Sequence, residues 1–151
     1  MLYVPKKLAE RLKYKGKQGI GYLLALRLTD SLFVTNMTKP VDRNSEKRAP
    51  DPYWKLAKFS QKGHEFTGLI YHVTSEKEID AGDAFIGDIL RMYKLNYYTL
   101  GLPDGPLFFR RFGDKAFAQR HKIIKPDRYF VNLSRKVKVQ LSKLKIQSYS
   151  L

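Results

Sequence analysis

The hydrophobic pattern is clearest between residues 51 and 73, where two apolar runs flank a short polar break. The first run, residues 53–59, contains Trp54, the single tryptophan of the chain. In the second run, residues 66–73, Leu69, Tyr71 and Val73 alternate with Gly68, Ile70 and His72. The break, residues 60–65, contains a glycine. Aromatic and β-branched residues in runs of this length are typical of strands, and two such runs around a short break predict an antiparallel hairpin at 53–73.

Further elements are predicted on both sides of the hairpin. Residues 5–15 favour a short helix, because proline suits its first position and Gly16 suits its end. The apolar run 22–28 predicts a second, buried helix, and residues 32–37 predict a strand. Apolar residues at helical spacing after Asp83 predict a third helix, capped by that carboxylate.

The C-terminal third combines a turn with helical patterns. Residues 103–106 read Pro-Asp-Gly-Pro, a strong turn signal. Residues 114–121 predict a short helix with an aspartate at its start. Residues 130–144 carry an apolar stripe at helical spacing, although 137–141 also alternate as a strand would. Their lysine, leucine, glutamine and arginine content favours the helix.

These elements predict an α+β fold, with a small antiparallel sheet built on a central hairpin, flanking helices and a basic C-terminal extension. The predicted organisation is a basic N-terminal helix over residues 1–18, an α+β core over 19–98 and a basic, aromatic extension over 99–151. The 43% hydrophobic content is enough for a modest core.

The charge of the chain points to a polyanionic partner. Twenty-nine Lys and Arg residues stand against 14 Asp and Glu, a formal net charge of +15. A compact domain with this charge repels itself unless a polyanion neutralises it. Nucleic acid is the first candidate, and an anionic membrane surface is the second. Residues 132–151 contain no acidic side chain, which strengthens the expectation for the tail.

The candidate RNA contacts are cations in the N-terminal helix, the aromatic cluster 108–112 and the tail. The cluster reads Phe-Phe-Arg-Arg-Phe, a mixture that stacks on bases and pairs with phosphates. The alternative is that its phenylalanines anchor a core or an interface while its arginines are solvated. The predicted phosphate-binding set comprises Lys6, Lys7, Arg11, Lys13, Lys15, Lys17, Arg110, Arg111, Arg120, Lys122, Lys125, Arg128, Arg135, Lys136, Lys138, Lys143 and Lys145.

Disulfides, metal sites, catalytic activity and a transmembrane helix have little support in the sequence. Cysteine is absent, which excludes disulfides, thiolate metal sites and a cysteine nucleophile. His64, His72 and His121 have no metal-ligand spacing, so no metal, cofactor, small-molecule substrate or catalytic activity is predicted. A small basic nuclease remains an alternative, built around these histidines. No apolar run approaches the roughly 20 residues that a transmembrane helix needs.

Part of the chain resembles a known family. Residues 53–58 have a Tyr-Trp-basic-Leu-x-basic pattern, residues 68–71 a Gly-hydrophobic-x-aromatic pattern, and residues 74–78 match a Lys/Glu-rich turn. Upstream, a leucine-rich run at 23–28 precedes a Phe-Val-Thr segment at 33–35. This order resembles the mitoribosomal small-subunit protein thirty-four family, in which a leucine-rich helix leads into a Val-Thr-basic strand.

The resemblance covers roughly residues 20–98 and has departures. The family's Gly-x-Gly-Arg turn is replaced by Asp-Ser-Leu at 30–32, and the glycine-ended loop is stretched over 63–68. The resemblance implies a structural constituent of the mitochondrial ribosome small subunit, in the matrix, without catalysis. Its partners would be ribosomal RNA and neighbouring small-subunit proteins. A basic accessory subunit of a mitochondrial membrane complex is the alternative assembly.

Overall fold

A computed structural model of the chain describes residues 1–41, 59–61, 63–75, 90–91, 95–113 and 115–151. The strands are β1 (Leu2–Pro5), β2 (Gly19–Arg27), β3 (Leu32–Thr38), β4 (Ser60–Gln61), β5 (His64–Val73), β6 (Tyr97–Leu102), β7 (Gly105–Phe112), β8 (Lys115–Gln119), β9 (His121–Ile124) and β10 (Ser148–Tyr149). Two helices, α1 (Lys6–Arg11) and α2 (Arg128–Lys143), pack against these strands.

The main sheet nearly closes into a barrel. Its strand order is β8-β7-β6-β5-β2-β3-β1-β9, and the two edge strands are consecutive in the chain, separated by Arg120 alone. One continuous segment therefore pairs with β7 through β8 and with β1 through β9. At the junction, the Leu2 amide donates to the Arg120 carbonyl at 3.3 Å. This arrangement pairs backbone N–H and C=O groups that the edges of an open sheet would expose.

The predicted fold class is wrong in its sheet and in its helices. The sheet is mixed, because β1 runs parallel to β3 and β9, and β5 runs parallel to β6. The predicted helix at 22–28 lies in β2, and the one at 114–121 lies where β8 and β9 form. Nor is the C-terminal part an extension, since residues 105–124 supply three barrel strands.

The misassigned helix at 22–28 has a physical cause. From Gly19 to Leu26 every residue of β2 is buried, because the strand lies between β3 and β5 and is covered on both faces. A strand buried on both faces reads as a continuous apolar run rather than an alternating one. Such a run cannot be distinguished from a buried helix by its periodicity.

Several local predictions are confirmed. The strand at 32–37 lies within β3, the turn at 103–106 joins β6 to β7, and the C-terminal helix is α2. The N-terminal helix exists but is shorter than predicted and follows strand β1. Residues 66–73 form most of β5, whereas 53–58 and most of the helix predicted after Asp83 lie outside the described residues.

Helix α1 closes one end of the barrel. Leu8 and Leu12 are fully buried, and the Tyr14 amide beyond the helix donates to the Leu102 carbonyl at 3.2 Å. This contact joins the helix region to the end of β6. Gly101 lies directly beneath the Leu12 carbonyl, where a Cβ atom would overlap the carbonyl oxygen. The helix therefore seats on the barrel through a position where a side chain is sterically excluded.

Helix α2 packs on the outer face of β3. Asp127 caps it by accepting from the Phe130 amide at 3.2 Å. The Ser134 hydroxyl donates to the Thr35 carbonyl at 2.7 Å, and the Ser134 carbonyl accepts from the Asn36 side-chain amide at 3.0 Å. The Phe33 and Phe130 rings stack 3.9 Å apart. These contacts fix the helix against one strand, so that its opposite face is exposed.

The C-terminal end of α2 allows a stability prediction. Lys145 has a φ of 62°, its amide donates to the Ser142 carbonyl, and the Ile146 amide donates to the Leu141 carbonyl, both at 2.9 Å. This is a Schellman motif whose left-handed position normally favours glycine. Lys145→Gly should therefore raise stability by about 0.5–1 kcal/mol, measured as a higher midpoint in thermal unfolding.

The control for this prediction is Lys143→Gly, which places the same substitution in the last helical turn. There glycine should lower stability by about 1 kcal/mol, because folding must order its more flexible backbone and no residue with a strained, positive φ is replaced. A lower midpoint for Lys145→Gly would contradict the assignment of the motif.

Candidate nucleic-acid interface

A basic groove lies between the end of α2 and strand β10. The groove has a volume of about 460 Å³. Its lining comprises Lys39, Lys138, Ser142, Lys145, Ile146, Gln147, Ser148 and Tyr149. Three of these residues are lysines and none is acidic. Within the part of the chain that the structure describes, none of the three lysines forms an ion pair. We call this surface the basic groove.

Tyr149 ties three separate parts of the chain together at the groove. It pairs with Met37 in the short β10–β3 ladder. The Arg11 guanidinium lies 3.8 Å from the centre of its ring, and the Lys39 ammonium lies 5.8 Å from it. A backbone hydrogen bond also fixes Lys39, because its amide donates to the Gln147 carbonyl at 3.1 Å. Cation–π contacts thus position cations from α1 and from the end of β3 beside the C-terminal strand.

The exposed face of α2 extends the positive surface away from the groove. Arg128, Arg135 and Lys138 are spaced seven and three residues apart, so they lie along one side of the helix. All three are exposed, while Leu133 and Val137 are buried against the barrel. The stripe runs from Arg128 to Lys138 within the 16 residues of α2, so it is roughly 15 Å long. It ends at the groove, which Lys138 also lines.

The aromatic cluster at 108–112 splits between the core and the surface. Phe108 is buried inside the barrel, as the anchoring alternative predicts. Phe109 stacks on Tyr98 at 4.8 Å on the opposite face of the sheet. Arg110 lies 4.4 Å from the Phe112 ring, and Phe112 is half exposed. Strand alternation therefore gives the five residues different roles, and the cluster is not a single stacking surface.

The other predicted cations are spread around the barrel. Lys13 pairs with Glu10 at 3.1 Å, and the Arg111 Nε donates to the Gly113 carbonyl at 2.7 Å. The exposed cations that remain are distributed over α1, the loop after it, β9 and the second side of α2: Lys6, Lys7, Lys15, Lys17, Arg120, Lys122, Lys125, Lys136 and Lys143. The structure thus brings Arg11, Lys138 and Lys145 together at the groove and leaves these cations dispersed.

Sequence patterns missed two residues of the basic groove. Lys39 and Tyr149 were not among the predicted contacts, because their proximity depends on the pairing of β10 with β3. The alternation of hydrophobic residues in 137–141 gave no indication of a strand further on. A compositional signal existed only for Tyr149, which lies in the acid-free segment 132–151, whereas Asp42 follows Lys39 by three residues.

The three histidines do not form a common site. His64 and His72 lie eight residues apart on β5, which separates them by about 26 Å along the strand. The His64 Nε2 lies 2.8 Å from the Tyr129 hydroxyl, and His72 is buried. The His121 ring lies 4.9 Å from the ring of Phe108. Among the described residues, no group of three potential metal-binding side chains occurs.

His121 makes stability depend on pH. Burial lowers the pKa of its imidazole below the usual value of about 6.5. The unfolded chain then binds the proton more tightly, so the contribution of this group to stability is complete above the usual pKa and is lost as the pH falls towards the folded pKa. His121→Gln should therefore weaken the fall in the urea midpoint between neutral and mildly acidic pH. Identical pH profiles for the two proteins would contradict this effect.

Comparison with known proteins adds no relative, since no protein-family model and no curated protein matches the chain. Among the described residues, no helix has the length and apolar composition that crossing a bilayer requires.

Proposed function

We propose that this protein is a non-catalytic RNA-binding constituent of a ribonucleoprotein, held on folded RNA through the basic groove and the exposed stripe of α2. The family resemblance makes the small subunit of the mitochondrial ribosome the proposed assembly and the mitochondrial matrix its location. Neighbouring small-subunit proteins would cover the remaining exposed apolar side chains. The observation that carries the proposal is the groove, whose lining holds three lysines and no acidic residue, and whose lysines form no ion pair with any of the described residues.

Phosphate binding would offset the electrostatic repulsion between the clustered cations. Cations placed close together repel one another, and their repulsion lowers stability unless an anion lies between them. RNA phosphates supply such an anion, and each neutralised phosphate releases a condensed counterion. The lysine side chains carry no acceptor that would select a base, so recognition would follow RNA shape and backbone.

The nearly closed barrel supplies the rigidity that this mechanism needs. Helix α2 is fixed to β3 by hydrogen bonds through Ser134, and β10 is fixed to the same strand. The cations of the stripe and of the groove therefore keep a constant spacing. A constant spacing favours folded RNA, whose phosphates are themselves fixed, over a flexible single strand.

Sedimentation of a mitochondrial lysate, with and without RNase, tests the proposed assembly. The expected result is that the protein travels with small-subunit particles and is released when RNase digests the RNA. Continued sedimentation with a large membrane particle after RNase would support the accessory-subunit alternative instead. A free, slowly sedimenting protein would contradict both assemblies.

A further inference from the structure

We propose that the barrel end opposite α1 binds the terminal phosphate of a nucleotide or of an RNA strand. This site lies at the barrel end opposite α1 and uses other residues than the basic groove. It therefore goes beyond the proposed function and does not depend on it.

Two inward-facing columns of side chains each carry an arginine near this end of the barrel. Phe33 packs outward on α2, so its neighbours Val34 and Leu32 face inward, and their partners on β2, Ala25 and Arg27, face the same way. On β7, Phe108 is buried inside the barrel, and Arg110 follows it by two residues on the same face. The apolar interior is therefore bordered by two guanidinium groups at the barrel end opposite α1.

The two arginines face each other across the opening. In the strand order, two strands separate β7 from β2 on one side, and β3, β1 and the closing β9–β8 segment separate them on the other. Both arginines line one pocket of about 340 Å³, together with Tyr97, Gln119, Ser31 and Asp30. Its lining also includes the β2–β3 loop and the start of β1, so the pocket lies where these segments meet the ends of β6 and β7.

The chemistry of the pocket favours a phosphate dianion. Among the described residues, neither guanidinium forms an ion pair, and Asp30 supplies one negative charge against their two positive charges. Arg110 lies 5.5 Å from the Tyr97 ring and 4.4 Å from the Phe112 ring, contacts that orient its planar fork. Guanidinium groups bind phosphate oxygens in pairs of parallel hydrogen bonds. A terminal phosphate carries about −1.5 to −2 charges and three oxygens, enough for both arginines.

Charge and size explain why the phosphate should be terminal. An internal RNA phosphate carries only one negative charge, which leaves one of the two arginines without a partner. A terminal phosphate carries more charge, and a pocket near 340 Å³, at the small end of the range for ligand pockets, admits it with its attached sugar.

The test compares two single-stranded RNAs that differ only in a 5′-phosphate or a 5′-hydroxyl, each labelled at its 3′ end. Fluorescence anisotropy on the full chain should show about tenfold or tighter binding of the phosphorylated strand. Arg27→Gln and Arg110→Gln should each reduce that ratio towards one. Arg135→Gln on α2 is the matched control: it should weaken both RNAs alike and preserve the ratio.

A competition arm distinguishes the two sources of the phosphate. A nucleoside monophosphate that removes the preference shows that free nucleotides also occupy the site, whereas retention of the preference assigns the site to strand ends. Either result supports terminal-phosphate binding. Equal affinity of the wild-type chain for the two RNAs would overturn the proposal, as would an unchanged ratio in Arg27→Gln. Neither result would affect the proposed RNA contact through the stripe of α2, which the Arg135→Gln control reports separately.

Discussion

Replacing Gly101 with alanine should destabilise the protein by about 3 kcal/mol or more, because the barrel has no room for a methyl group there. A Cβ atom would overlap the Leu12 carbonyl oxygen and lie 3.0 Å from the Leu12 carbonyl carbon and from a Val73 methyl group. The closest obstacle is the backbone of Leu12, which no rotamer change can move away. The expected relief is partial detachment of α1 from the barrel end.

Thermal unfolding followed by circular dichroism measures this effect. For a chain of this length, a loss of about 3 kcal/mol lowers the midpoint by roughly 6–12 °C. Gly68→Ala is the matched control on the neighbouring strand β5, where the nearest atom to a new Cβ is a Leu95 methyl at 3.6 Å, an ordinary contact. A midpoint for Gly101→Ala equal to that of the control would show that α1 does not rest on Gly101.

Removing the three groove lysines should produce the largest loss of RNA binding. In Lys39→Gln/Lys138→Gln/Lys145→Gln, about three phosphate contacts are lost, and each contributes about 0.7–0.9 to the slope of log affinity against log salt. Raising the salt from 50 to 200 mM should therefore weaken RNA binding in both proteins. The factor by which the affinity for a stem-loop RNA falls should be roughly 20 to 40 times larger for the wild-type chain than for the variant. Anisotropy titrations over this salt range measure both slopes.

A variant with the same change in net charge controls for the groove. Lys13→Gln/Lys115→Gln/Lys122→Gln removes three lysines outside its lining, one of which is already paired with Glu10 at 3.1 Å. Its salt slope should stay closer to that of the wild-type chain. Equal slopes for the two triple variants would mean that net charge alone governs binding, and that the arrangement of lysines around Tyr149 does not matter.

Local chemistry explains which elements the sequence predicts well. The Pro-Asp-Gly-Pro turn is set by residues that are adjacent in the chain, and its Gly105 adopts a φ of 130° that favours glycine. Helix α2 is amphipathic and has an aspartate cap, so both its period and its start are visible in the sequence. Strand β3 is recognisable by its β-branched and aromatic residues.

The barrel could not be predicted because closure is a long-range property. It requires the parallel pairing of β1 with β9, whose partners Leu2 and His121 are far apart in the sequence. The apolar run of β2 is ambiguous in the absence of its neighbours. The candidate interface was predicted as a set of cations, but the selection of Arg11, Lys138 and Lys145 depends on the position of Tyr149.

Ultraviolet cross-linking of the full chain to a stem-loop RNA with a 5′-hydroxyl, followed by mass spectrometric mapping of the linked peptides, tests whether the basic groove is the RNA interface. We expect the linked peptides to come from the segments carrying Lys39, the stripe of α2 and the groove residues 145–149. Cross-links confined to β7 and β8, or no cross-linked peptide under conditions where the RNA is bound, would contradict the assignment of the basic groove as the RNA interface.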